Sequence, residues 1–97
     1  MKRLLFSPAA QDDIEKIYDY TLKIWGVIQA EHYVSDIRDT CRDLASGKRE
    51  GSGASAIRPG YFKKTSGSHF IFYRLPKPGI MEVVRILHQR MDIESHL

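Results

Sequence analysis

One cysteine, Cys41, stands among 97 residues, so no disulfide can close within the chain and no thiolate-rich metal site can be assembled. No apolar run approaches the roughly 20 residues that cross a bilayer; the longest, "FIFY" and "VVRIL", are strand-sized. A charged-then-apolar leader with a cleavage site is also missing, and the expectation is a cytoplasmic protein with no membrane partner. "GKREGSGAS" carries glycines but no Lys-Ser or Lys-Thr behind them, and it precedes a strand, so it is not a phosphate-binding loop. The four histidines, His32, His69, His88 and His96, have no metal-ligand spacing, and neither a metal nor a cofactor is expected.

What is present is ordinary for a globular protein: 42% hydrophobic and 28% charged residues, which predicts one domain over residues 1–97. Charge is uneven. Residues 1–46 carry six basic and eight acidic side chains, whereas residues 47–97 carry nine and four, so the second half is the electrostatic face for an acidic protein or a nucleic acid.

Local patterns predict an α+β fold: an N-terminal strand, an antiparallel helical hairpin packed on a three- to four-stranded, mainly antiparallel sheet, and a short C-terminal tail. "KRLLFS" reads as the first strand, and Ser7-Pro8 as a helix start, with a capping hydroxyl followed by proline where no N–H is needed. Ile14, Ile17, Tyr18, Thr21 and Trp25 lie on one helical face, and Gly26 is a stop. Trp25 is expected to pack at the hairpin corner. Ala30, Tyr33, Val34, Ile37, Cys41 and Leu44 repeat the helical spacing, Gly47 ends that run, and "GKREGSGAS" reads as a flexible surface loop. "YFKKTS", "SHFIFYRL" and "IMEVVRIL", separated by "GS" and "PKPG", predict a three-stranded meander. The last two strands are apolar at odd and even positions alike, so both faces need cover, one from the hairpin and the other from a partner. Asp92 is placed to cap a last short helix.

The closing stretch "VVRILHQRMDIESHL" sets His88 between Arg85 and Arg90. RNA cleavage without metal needs a base, an acid and a cation at the phosphate; His88, Arg85 and Arg90 would supply that inventory. In a regular strand, however, Glu82, Val84, Ile86, His88 and Arg90 share one side and Arg85 the other. Glu82 would then lie roughly 20 Å from His88. Lys63, Lys64 and Tyr73 on neighbouring strands add no second group that titrates near neutrality. His69 reads as a hydrogen-bonded structural histidine. Arg58, just before Pro59-Gly60, either braces that turn or binds a carboxylate.

The words "SPAAQDDIEKIYDYT", "WG", "QAEHYVSDIRD", "IRPGY", "GSHFIFYR" and above all "VRILHQRMD", in this order from Phe6 to Asp92, resemble the ParE-type toxins of bacterial toxin–antitoxin systems, within the RelE/ParE superfamily. The loop "GKREGSGAS" departs from the Pro-containing connection usual there. The resemblance implies a toxin that arrests growth by poisoning DNA gyrase, with no catalytic residues of its own. It also implies a ParD-like antitoxin that blocks the toxin and brings the pair to operator DNA. The superfamily's other branch, ribosome-dependent mRNA endoribonucleases of the RelE type, is the alternative. For antitoxin binding the expected electrostatic anchors are Arg58, Lys63, Lys64, Arg74, Arg85 and Arg90, beside an exposed apolar sheet face.

Overall fold

The computed structural model describes residues 1–97. In chain order it contains β1 (Arg3–Phe6), α1 (Pro8–Trp25), α2 (Val27–Ser46), β2 (Ser52–Gly53), β3 (Tyr61–Ser66), β4 (His69–Lys77), β5 (Ile80–His88) and α3 (Ile93–His96). The sheet runs β1-β5-β4-β3-β2, antiparallel except where β1 lies parallel to β5. That parallel pair needs a crossover, and the two helices provide it.

Local chemistry sets the helix ends. Ser7 Oγ accepts the Ala10 N–H at 3.0 Å and Pro8 opens α1. Gly26 (φ +93°) breaks the chain between the helices, and Gly47 closes α2 in the left-handed conformation. Ile14, Ile17, Val34, Ile37, Cys41 and Leu44 face inward and pack on Ile71, Tyr73, Met81, Val83 and Ile86 of the sheet. The expected stripes are therefore the core, with one exception. Trp25 is 70% exposed and packs in no corner.

Three further expectations are revised. "GKREGSGAS" is not wholly a loop: Ser52 and Gly53 pair with Lys63 and Phe62, which gives the sheet its fifth strand. Gly51 lies where a Cβ would fall on the Tyr73 hydroxyl and 2.9 Å from the Lys63 carbonyl, so close backbone approach requires glycine there. The second sheet face is covered by the chain itself: Phe72, Leu87 and Ala54 pack with Ile57, Tyr61, Phe70, Ile93 and Leu97. A partner is not needed to bury it.

Strand parity also changes. Tyr73 pairs with Val83 and Phe72 with Arg85, so Val84 is an extra residue, a bulge on β5. Met81 and Val83 before it, and Ile86 and His88 after it, all point to the helices, while Glu82 and Leu87 point away. Glu82 does not share a side with His88 as a regular strand would have it. A second irregularity falls at Leu75-Pro76 on β4, where proline cannot donate to the ladder.

Candidate functional site

The sheet brings His69, the first residue of β4, directly opposite His88, the last of β5, with ring centroids 5.2 Å apart and planes at 85°. This neighbour, a second group that titrates near neutrality, is one that the sequence reading did not supply. It was countable: pairing outward from Lys77 and Ile80 across the Pro78-Gly79 turn puts His69 opposite His88, because the two irregularities in the hairpin cancel.

Tyr33 of α2 reaches down to this pair. Its hydroxyl accepts the Ser68 N–H at 2.8 Å and lies 2.6 Å from His69 Nδ1. The hydroxyl, with one proton and two lone pairs, serves Ser68 and His69 at once, so Nδ1 of His69 is engaged within the chain in either tautomer. Burial pushes the His69 pKa down to about 4; the like charge of His88 adds to this, and the carboxylate of Asp13 opposes it. His88 Nδ1 accepts the Arg90 N–H at 3.1 Å, so its neutral form is the Nε2–H tautomer. Each Nδ1 is thus already engaged, and His88 presents an Nε2–H donor. A cleft of about 170 Å³ opens beside them, with Tyr20, Trp25 and Gln29 of the hairpin forming the opposite wall.

Arg85 does not join them. Its Nε and Nη2 donate to the two carboxylate oxygens of Asp13 at 2.8 and 2.9 Å, and its Nη1 donates to the His96 carbonyl at 3.0 Å. Asp13, near the start of α1, is buried and also accepts the Ile86 N–H at 2.9 Å. This bidentate pair ties α1 and the tail to β5 and raises the Arg85 pKa, chiefly through the hydrogen bond to Asp13.

The other basic residues divide. Arg74 Nε donates to Glu82 Oε1 at 2.6 Å. Arg58 donates to the main-chain oxygen of Leu97, the last residue, and lies over the Tyr61 ring, so its side chain ties down the C-terminus and does not brace the Pro59-Gly60 turn. Lys63 sits over the Phe70 ring, 4.9 Å from its centroid, and Lys64 points to the opposite face. Lys63, Lys64 and Arg90 form no ion pair within the chain. Cys41 is fully buried, and burial pushes its thiol up to about 12, which suits a packing residue and not a nucleophile. No cluster of three or more metal-ligating side chains occurs, and no helix is long and apolar enough to cross a membrane.

Comparison with known proteins agrees with this architecture. Residues 4–93 match the family model described as ParE toxin of type II toxin–antitoxin system, parDE. Toxin ParE1 of Mycobacterium tuberculosis (strain ATCC 25618 / H37Rv) is 46% identical over 95 residues, covering 98% of this chain and 97% of that protein. Toxin ParE1 of Caulobacter vibrioides is 36% identical over 98 residues, 100% and 99% of the two chains. Among solved structures, one of a chromosomal ParDE system from P. aeruginosa superposes with a TM-score of 0.77 at 23% identity, covering 91% of this chain and 96% of that one. One of a YoeB–YefM complex from Staphylococcus aureus gives 0.58 at 18% identity, over 92% and 98%. With a family model spanning nearly the whole chain and full-length relatives well above 30% identity, this chain belongs to the ParE toxins of type II toxin–antitoxin systems.

Proposed function

We propose that residues 1–97 act as one cytoplasmic toxin unit that inhibits DNA gyrase by binding and trapping it on cut DNA, with no chemistry of its own. A cognate ParD-like antitoxin neutralises it, and operator DNA is reached only through that antitoxin. The observation that carries the binding reading is at the histidine pair. A general base for RNA cleavage needs a free lone pair facing the 2′-hydroxyl. Here both Nδ1 atoms are engaged within the chain, neutral His88 carries its proton at Nε2, and Arg85 is held by Asp13.

Antitoxin attraction is supplied first by Lys63, Lys64 and Arg90, which are unpaired. Arg58, Arg74 and Arg85 contribute through the positive field of the second half while keeping their internal partners. Raising salt therefore slows association with the antitoxin more than it speeds dissociation.

The ribosome-dependent ribonuclease reading draws on the same cleft, since His69 and His88 are two imidazoles in contact. Purified protein added to gyrase with supercoiled plasmid, and separately to translating ribosomes, decides between the two. Cleaved plasmid is the expected product, and codon-positioned cuts in mRNA would overturn the proposal. Replacement of His88 sharpens the result: His88→Ala should change affinity or stability modestly, whereas loss of a catalytic histidine would lower a cleavage rate by roughly 100-fold or more.

A further inference from the structure

From Leu22 to Gln29 every residue is exposed; five of the eight, Leu22, Ile24, Trp25, Val27 and Ile28, are large and apolar, and only Lys23 is charged. Scattered exposed leucines need no explanation, but a contiguous apolar ridge does. The fold does not use it. The buried faces of the two helices end at Thr21 and begin again at Ala30, and Gly26 turns the chain between them with open space on its side-chain side. On one flank the ridge continues through Tyr20 and Trp25 into the histidine cleft, which no carboxylate lines. The acid that acts on His69, Asp13, is neutralised by Arg85.

Shape and charge narrow the occupant. An extended peptide lies in a groove, whereas a convex ridge is received by a pocket on a folded protein, with one or two large side chains as anchors. A second copy is a poor match, because neither the tip nor the cleft holds a carboxylate to meet Lys23 or the His88 N–H of the other copy. We infer that the tip of the helical hairpin, with Trp25 and Ile28 as anchors, is the surface by which this toxin seats in an apolar pocket of its folded target protein, whose rim carboxylates meet Lys23 and the Nε2–H of His88. This rests on the reading that the toxin acts by binding a protein, gyrase in the proposal above, and it gives target and antitoxin different primary surfaces.

The test uses the full chain and Trp25→Ala, Ile28→Ala and the double variant, with Lys48→Ala as control. Five quantities are read: affinity for purified gyrase, growth arrest on induction in cells, affinity for the cognate antitoxin, melting temperature, and sedimentation with vesicles of anionic lipid. Each single tip variant should lose roughly tenfold or more in gyrase affinity and in growth-arrest potency. Their melting temperatures should stay within about 3 °C of wild type, since the side chains are exposed, and antitoxin affinity should hold within about threefold. Tip variants that match wild type in both target readouts overturn the proposal. So does a parallel loss of antitoxin affinity, which would make the tip the antitoxin's surface, or a defect confined to sedimentation with anionic vesicles. If the wild type arrests growth without binding gyrase, the gyrase reading fails alone, and the tip stands or falls on the growth arrest of its variants. A wild type that neither arrests growth nor binds gyrase overturns both.

Discussion

Burial and the neighbouring His88 hold His69 neutral down to about pH 4, well below the ordinary imidazole value. The unfolded chain therefore takes up this proton first. Stability from His69 is complete above about pH 6.5, falls as the pH drops towards 4, and changes no further below that. Because the ring is only partly buried, solvent screening reduces the loss to about 1 kcal/mol. Denaturant titrations of wild type and His69→Gln between pH 7 and 4 should show this extra slope in wild type alone; equal slopes would mean that the ring is not held neutral. The same side chain shows the limit of reading a strand by itself. Alternation along β5 separates Arg85 from His88 without knowledge of the sheet, but the partner that matters to His88 comes from β4. Asp13 is a sharper case: as one of several acids near a helix start it resembles a dipole partner, and only packing of α1 against the end of β5 buries it and gives it Arg85.

At the scale of elements, periodicity placed the long ones well and the irregular ones poorly. Helical spacing and caps identify α1 and α2 because their core faces repeat with the helix turn. The bulge at Val84 has no comparable signal: an extra residue in a strand that is apolar on both sides leaves the pattern unchanged, yet it inverts which residues face the helices. β2 is invisible for another reason. Two residues carry no period, and Ser52-Gly53 becomes a strand only because β3 lies beside it. Element ends are fixed by glycines, and Gly67, in the turn between β3 and β4, is doubly constrained. Its φ is +58°, and a Cβ there would come within 2.6 to 2.8 Å of the Tyr33 ring and hydroxyl. Gly67→Ala should cost about 2 kcal/mol in chemical denaturation and loosen the Tyr33 contact to His69. An unchanged unfolding midpoint would show that the turn can relax without the left-handed conformation.

Across the whole molecule, a two-sided sheet has to be covered twice, and the chain does this asymmetrically. Two long helices cover one face; the segment around Ala54–Tyr61 and the last five residues cover the other. The tail is held by Ile93 and Leu97 on the apolar face and by Arg58 and Arg85 at the His96 and Leu97 carbonyls. Removing residues 93–97 should expose Phe72, Phe70 and Leu87, cost about 2–3 kcal/mol and increase binding of a hydrophobic dye; a truncated chain as stable as wild type would mean the tail is not part of the core. The sequence by itself determined the fold class, both helices with their buried stripes, the meander and the ParE resemblance, since each rests on local periodicity or on words in a fixed order. Tertiary structure alone decided what those words do: that His69 and His88 meet, that Arg85 serves Asp13, that the tail seals the sheet, and that Trp25, on an apolar stripe like any core residue, projects into solvent. The physical reason is that amphipathic spacing records which residues share a face, whereas burial depends on what lies opposite that face, and nothing in the fold covers residues 22–29.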